Sequence, residues 1–193
     1  DLLLAAKLAI KYGAHSITIH LREDRRHIKD QDLEKLSKYK NIPINLEIAA
    51  NMQMLKIALK NKPNFVCIVP EKRKEITTEG GLNLNKHYSK IKKIILKLQE
   101  SKIRTSLFIN PSIKNIKLSK VLNADCVELH TGKLSNLIKS NKNFTKEFKK
   151  IKEEFEKIKK EFKKIKKEFE KREEEFKNTE EEFEKREEEF KNR

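Results

Sequence analysis

Seven ionisable side chains crowd into eight consecutive positions: His20, Arg22, Glu23, Asp24, Arg25, Arg26 and His27. They follow the run ITI at 17–19, which with its neighbours reads as a buried parallel strand. The charged tail is too polar to bury, so the strand is expected to end near Leu21. It then delivers His20 and Arg22 to its carboxyl edge, where α/β folds bind ligands. An imidazole titrates near neutrality, and a guanidinium grips phosphate with forked donors. The pattern predicts acid–base chemistry beside a phosphorylated substrate. His20 is the general-base candidate; its structural alternative is a histidine that caps its strand. Arg25 and Arg26 read equally well as a solvated charge run.

Three further places carry chemistry. Glu47 stands inside INLEIA, and a carboxylate in an apolar strand must face a cavity or find a partner. A raised pKa would suit it to proton transfer; the alternative is an ion pair with an arginine from 22–26. Glu128 and His130 in CVELH are two apart and share one face of a strand, expected to point into a barrel. Thr77 opens TTEGG, in a long polar loop whose Gly80 and Gly81 permit a hinge or a positive φ. His20, His27, Glu47 and His130 show no H-x-x-x-H or H-E-x-x-H spacing, so no metal site is expected.

The elements that must position these residues alternate along the chain. Helices are expected over 2–12, 32–39, 52–60, 86–102 and 113–122. Strands are expected over 17–20, 44–49, 65–69, 105–110 and 126–130. Pro43, Pro63, Pro70 and Pro111 stand at their boundaries. Five alternations predict parallel strands with right-handed crossovers. Polar residues at the ends of several strands favour a barrel over an open doubly wound sheet.

The chain is strongly basic, at +16, but its lysines are scattered and no aromatic-interleaved basic platform appears. Neither a nucleic-acid nor a membrane partner is expected. No apolar run approaches the roughly 20 residues of a membrane span. Cys67 and Cys126 lie in apolar runs without a C-x-x-C pattern and read as reduced core residues of a cytoplasmic protein. Asp1 stands inside a helical pattern without a methionine, so a chain lacking its natural beginning is expected.

HLREDRRHIKD, NLEIAA, FVCIVPEKRKEITTEGGL and VELHTG, in that order, resemble the pyridoxine 5′-phosphate synthase family over roughly residues 1–150. The resemblance implies a (β/α)₈ TIM barrel, of which about five strands are visible here. It implies a first strand before Asp1 and two more strands where this chain carries other sequence. It implies condensation of 3-amino-2-oxopropyl phosphate with 1-deoxy-D-xylulose 5-phosphate, without a cofactor, in a homo-octamer. His20 and Glu47 match the family's proton acceptors, and Glu128 a position that stabilises a transition state. Arg22, His27 and Thr77 match positions that hold deoxyxylulose phosphate. The family's G-H-G proton-donor motif has no counterpart after His130.

The expected domains are a partial barrel over 1–143 and a Lys/Glu/Phe heptad repeat over 144–193. Phe148, Phe155, Phe162, Phe169, Phe176, Phe183 and Phe190 recur every seven residues, with Ile151, Ile158 and Ile165 at the partner position. Arg172, Thr179 and Arg186 then replace isoleucine. A helix over 145–192 is expected, coiled-coil-like in its first half or helical by composition alone. The alternative to an enzyme is a catalytically dead barrel fragment fused to this interaction segment.

Overall fold

The computed structural model describes residues 1–71 and 80–191. The chain divides into two compact units, Asp1–Phe148 and Lys149–Arg193. In the first unit, helices α1 (Leu2–Lys11), α2 (Asp30–Ser37), α3 (Met52–Asn61), α4 (Tyr88–Glu100) and α5 (Ile113–Val121) alternate with five strands. These are β1 (Ile17–His20), β2 (Ile44–Ala49), β3 (Phe65–Val69), β4 (Arg104–Ile109) and β5 (Cys126–Leu129). A short helix α6 (Gly132–Lys139) follows β5.

Local chemistry sets the helix ends. The Asp1 carboxylate accepts the Leu3 N–H at 2.8 Å, and the Asn51 side chain accepts the Met54 N–H at 2.8 Å. Ser112 Oγ accepts the Asn115 N–H at 3.2 Å. Helix α2 begins two residues earlier than its apolar pattern indicates. The Asp32 carboxylate accepts the Lys29 N–H at 2.9 Å, and Asp30 adds a second acidic residue to the first turn.

All four strand pairings are parallel, and the strand order is β1-β2-β3-β4-β5. A doubly wound sheet reverses its order at a switch point; this one does not. Right-handed crossovers in consecutive order place every connecting helix on one face. Leu33, Leu36, Met54, Leu55, Ile91, Ile94, Ile95 and Leu98 are buried there against Leu46, Ile48, Val66, Ile68 and Leu107. The sheet also curls. Asn45 on β2 and Glu128 on β5 are three strands apart, about 14 Å if the sheet were flat. Yet Asn45 Nδ2 donates to Glu128 Oε1 at 3.4 Å. Consecutive order and strong curvature make this the wall of a TIM-type barrel.

Two expectations change. Cys67 is buried, but Cys126 is exposed. Cys126 opens β5, which among the described residues pairs only with β4 and so lacks cover on its far side. Helix α6 is not expected from the pattern, because it is only eight residues long and buries none of them. In the second unit the described residues continue α7 (Thr145–Lys191), with Phe155 and Phe176 exposed. No described helix is long and apolar enough to cross a membrane.

Candidate active site

Side chains alternate across a strand, so the residues between the helix-facing positions form a second face. That face is polar. Asn45 Nδ2 also donates to Thr18 Oγ1 at 3.3 Å, and Ser106 Oγ donates to Glu128 Oε1 at 3.1 Å. Higher along the same face, His20 Nδ1 lies 3.5 Å from Glu47 Oε2. The β1–β2 register sets this pair directly opposite, His20 against Glu47. Glu47 therefore faces an imidazole and a shared polar interior.

The segment after β1 folds back over its end. Arg22 is 5% exposed, with its Nε 3.6 Å from Asp24 and 3.7 Å from Glu71. Arg25 adopts φ +53° and binds inward rather than facing solvent as a free charge. Its guanidinium donates to Asp30 at 2.8 Å and to the Arg22 carbonyl at 2.8 Å. Arg26 pairs with Asp24 at 2.6 Å. His27 is exposed, and no described contact brings it to His20. Thr77 lies outside the described residues.

Burial, with the Arg22 charge second, holds the His20 imidazole down at about 4; Asp24 opposes both. The ring is thus neutral near pH 7 and has a lone pair to offer. Burial pushes the Glu47 carboxyl up, and the Glu128 carboxylate pushes the same way. Burial also raises Glu71, against the Glu23 N–H and Arg22. A neutral base next to a carboxyl of raised pKa can take a proton and return it within one small volume.

Beside this pair, a cleft of ≈ 420 Å³ opens at the carboxyl edge of β2 and β3. Glu23, Asn51, Glu71, Gly81, Asn83 and Lys86 are among its lining residues. Asn51 Nδ2 donates to the Glu23 carboxylate. Among the described residues no three His, Cys, Asp or Glu side chains converge as metal ligands.

The family model for the pyridoxal phosphate biosynthesis protein PdxJ matches residues 1–167. This chain belongs to the PdxJ family. Pyridoxine 5′-phosphate synthase of Pelagibacter ubique is 65% identical over 142 residues, 74% of this chain and 59% of the relative. The proteins of that name from Thermodesulfovibrio yellowstonii and Bdellovibrio bacteriovorus are 53% and 51% identical over 132 and 133 residues. Those matches cover 68% and 69% of this chain, and 54% and 55% of the relatives. The chain thus spans less than two thirds of the length of these curated PdxJ relatives.

In this PdxJ-family chain, His130 and the glycine pair meet around Asn110. Asn110 Oδ1 accepts the Gly81 N–H at 3.0 Å and lies 3.3 Å from His130 Nδ1. Gly80 N–H donates to His130 Nε2 at 3.4 Å. Gly80 has φ +81°. A Cβ on Gly81 would sit 2.2 Å from the Asn110 nitrogen, so Gly81 permits a close approach of two backbones.

Sequence reasoning missed Glu71, Asn45 and Ser106. Asn45 and Ser106 were legible as polar residues on the same alternation as Glu47 and Glu128. Glu71 had a signal too: it is the first charged residue past a strand closed by proline.

Proposed function

We propose that this chain carries out the condensation of 3-amino-2-oxopropyl phosphate with 1-deoxy-D-xylulose 5-phosphate. The products are pyridoxine 5′-phosphate, inorganic phosphate and water. The observation that carries this reading is the His20–Glu47 pair at the carboxyl edge of a polar barrel face, in a chain of the PdxJ family. His20 takes a proton during imine formation and ring closure, and Glu47 serves as the second proton acceptor. Glu128, anchored by Asn45 and Ser106, stabilises charge that develops in the interior. Arg22, His27 and Thr77 hold the deoxyxylulose phosphate. The working form is a cytoplasmic homo-oligomer, an octamer by family likeness, that takes small phosphorylated substrates and no nucleic acid.

Incubation of the full chain with both substrates tests this. Pyridoxine 5′-phosphate is expected from the wild type and is lost in His20→Ala, with an unchanged circular dichroism spectrum. No product from a folded wild type, or product from His20→Ala at the wild-type rate, overturns the reading.

A second reading is favoured by the exposed Phe155 and Phe176 on a heptad stripe. In that case the helical segment is an interaction module, and the barrel portion is non-catalytic. It predicts an assembly that Phe155→Lys dissolves in sedimentation while turnover is absent throughout.

A further inference from the structure

Glu71 follows Pro70, which closes β3, and its side chain is only 2% exposed. Its two oxygens go to different places. Oε1 accepts the Glu23 backbone N–H at 2.8 Å and lies 3.7 Å from Arg22 Nε. Oε2 lies 3.6 Å from His20 Nε2. Across the ring, His20 Nδ1 faces Glu47 at 3.5 Å. The imidazole is clamped between carboxyl groups from two different strand ends.

A neutral imidazole has one donor nitrogen and one acceptor nitrogen. The two carboxyl groups therefore cannot play the same part. One accepts the ring N–H as an anion; the other faces the lone pair and is compatible with it only when protonated. The groups around the ring decide which. Arg22 and Asp24 come from the segment after β1, Glu47 from β2 and Glu71 from the end of β3. Burial disfavours the charge on both glutamates, but only Glu71 has a backbone N–H and a guanidinium to oppose that. Glu128 pushes Glu47 up, and Glu23 and Asp24 push Glu71 up; what sets Glu71 apart is the Glu23 N–H on its Oε1 at 2.8 Å and the Arg22 guanidinium at 3.7 Å. A second observation agrees. His20 Nε2 and Glu71 Oε2 are buried atoms without another hydrogen-bond partner among the described residues. That buried ring nitrogen and that buried carboxyl oxygen, 3.6 Å apart, satisfy each other by a small closure.

We propose that Glu71 is a positioning residue for His20: it accepts the Nε2–H, fixes that tautomer and leaves Nδ1 as the basic nitrogen facing Glu47. The catalytic consequence rests on the proposed function; the tautomer does not. Glu71 would stand to His20 as the buried aspartate stands to histidine in a hydrolase triad.

The test is the long-range proton–nitrogen spectrum of the ¹⁵N-labelled full chain near pH 7, with the His20 signals identified by their loss in His20→Gln. The wild type is expected to show the Nε2–H tautomer. Glu71→Gln is expected to shift it to Nδ1–H, because the carboxamide donates to Nε2. The same variant should lower kcat by about 10²–10⁴-fold with KM little changed, as for a misplaced tautomer. Glu71→Asp keeps the carboxylate and should keep the Nε2–H tautomer. A wild-type Nδ1–H tautomer, or a Glu71→Gln spectrum identical to the wild type, overturns the proposal. Should Glu71→Gln fail to fold, the wild-type spectrum alone decides. The Nε2–H tautomer in a chain without turnover would sink the proposed function and leave this inference standing.

Discussion

The same five strands present two faces that differ in almost every respect. Under the helices, Leu46, Ile48, Val66, Ile68 and Leu107 are wholly enclosed by apolar neighbours. One residue along, the opposite face holds His20, Asn45, Glu47, Ser106 and Glu128, joined by polar contacts across strands. The first face makes the strands a sheet; the second makes the sheet a site. The difference teaches that in this chain burial on one side frees the other side to carry groups that do not stabilise the fold.

The largest expected effect lies on the apolar face. Leu46→Ala leaves a cavity between β2 and its helices and should destabilise the chain by about 2–5 kcal/mol in urea unfolding. A loss well under 1 kcal/mol would show that this face is not the main source of stability. Next is Gly81→Ala. The added methyl meets the backbone at Ile109 and Asn110, so the neighbours must shift, at a cost of about 1–3 kcal/mol. Unfolding midpoints of both variants, measured together, rank the two.

On the polar face the expected change in stability is small and of either sign. Glu47→Gln removes a carboxyl whose charge is disfavoured by burial and by Glu128, so stability near pH 7 should stay within roughly 1 kcal/mol of wild type. Turnover should fall by about 10²–10⁴-fold if Glu47 moves a proton. A loss of stability as large as that of Leu46→Ala would erase the distinction between the faces.

Much of this architecture was legible in residue order. The strand ITIH and the charged turn behind it placed His20 and Arg22, and the alternation in INLEIA put Glu47 on the side opposite Leu46 and Ile48. What the sequence could not show depended on distance in space. No local pattern brings Glu71 to His20, because that contact spans two crossovers and needs the curl of the sheet. The part-exposed fork of Arg25 on Asp30 was likewise hidden, since five charged residues in a row look alike whether solvated or folded inward. Cys126 misled for the opposite reason: its apolar neighbours suggested a core position, but among the described residues its strand has a pairing partner on one side only.

The finest distinction between the faces is how stability responds to acid. His20 has a folded pKa of about 4 against 6.5 for a free imidazole, because burial and Arg22 disfavour its charge. The neutral ring is therefore the form the fold prefers. Its contribution is complete above about pH 6.5 and is lost as pH falls toward about 4. Glu47 and Glu71 act in the other direction. Their folded pKa values are raised, so their contribution is present below the free carboxyl value and is lost as pH rises through the shifted ones. The apolar face has no such dependence. His20→Gln should therefore reduce the drop in urea midpoint between about pH 7 and about pH 5, while Leu46→Ala lowers both midpoints without changing their difference. An equal drop in wild type and His20→Gln would mean that the ring is not held neutral, and that the base in this site must be sought in the carboxyl groups beside it.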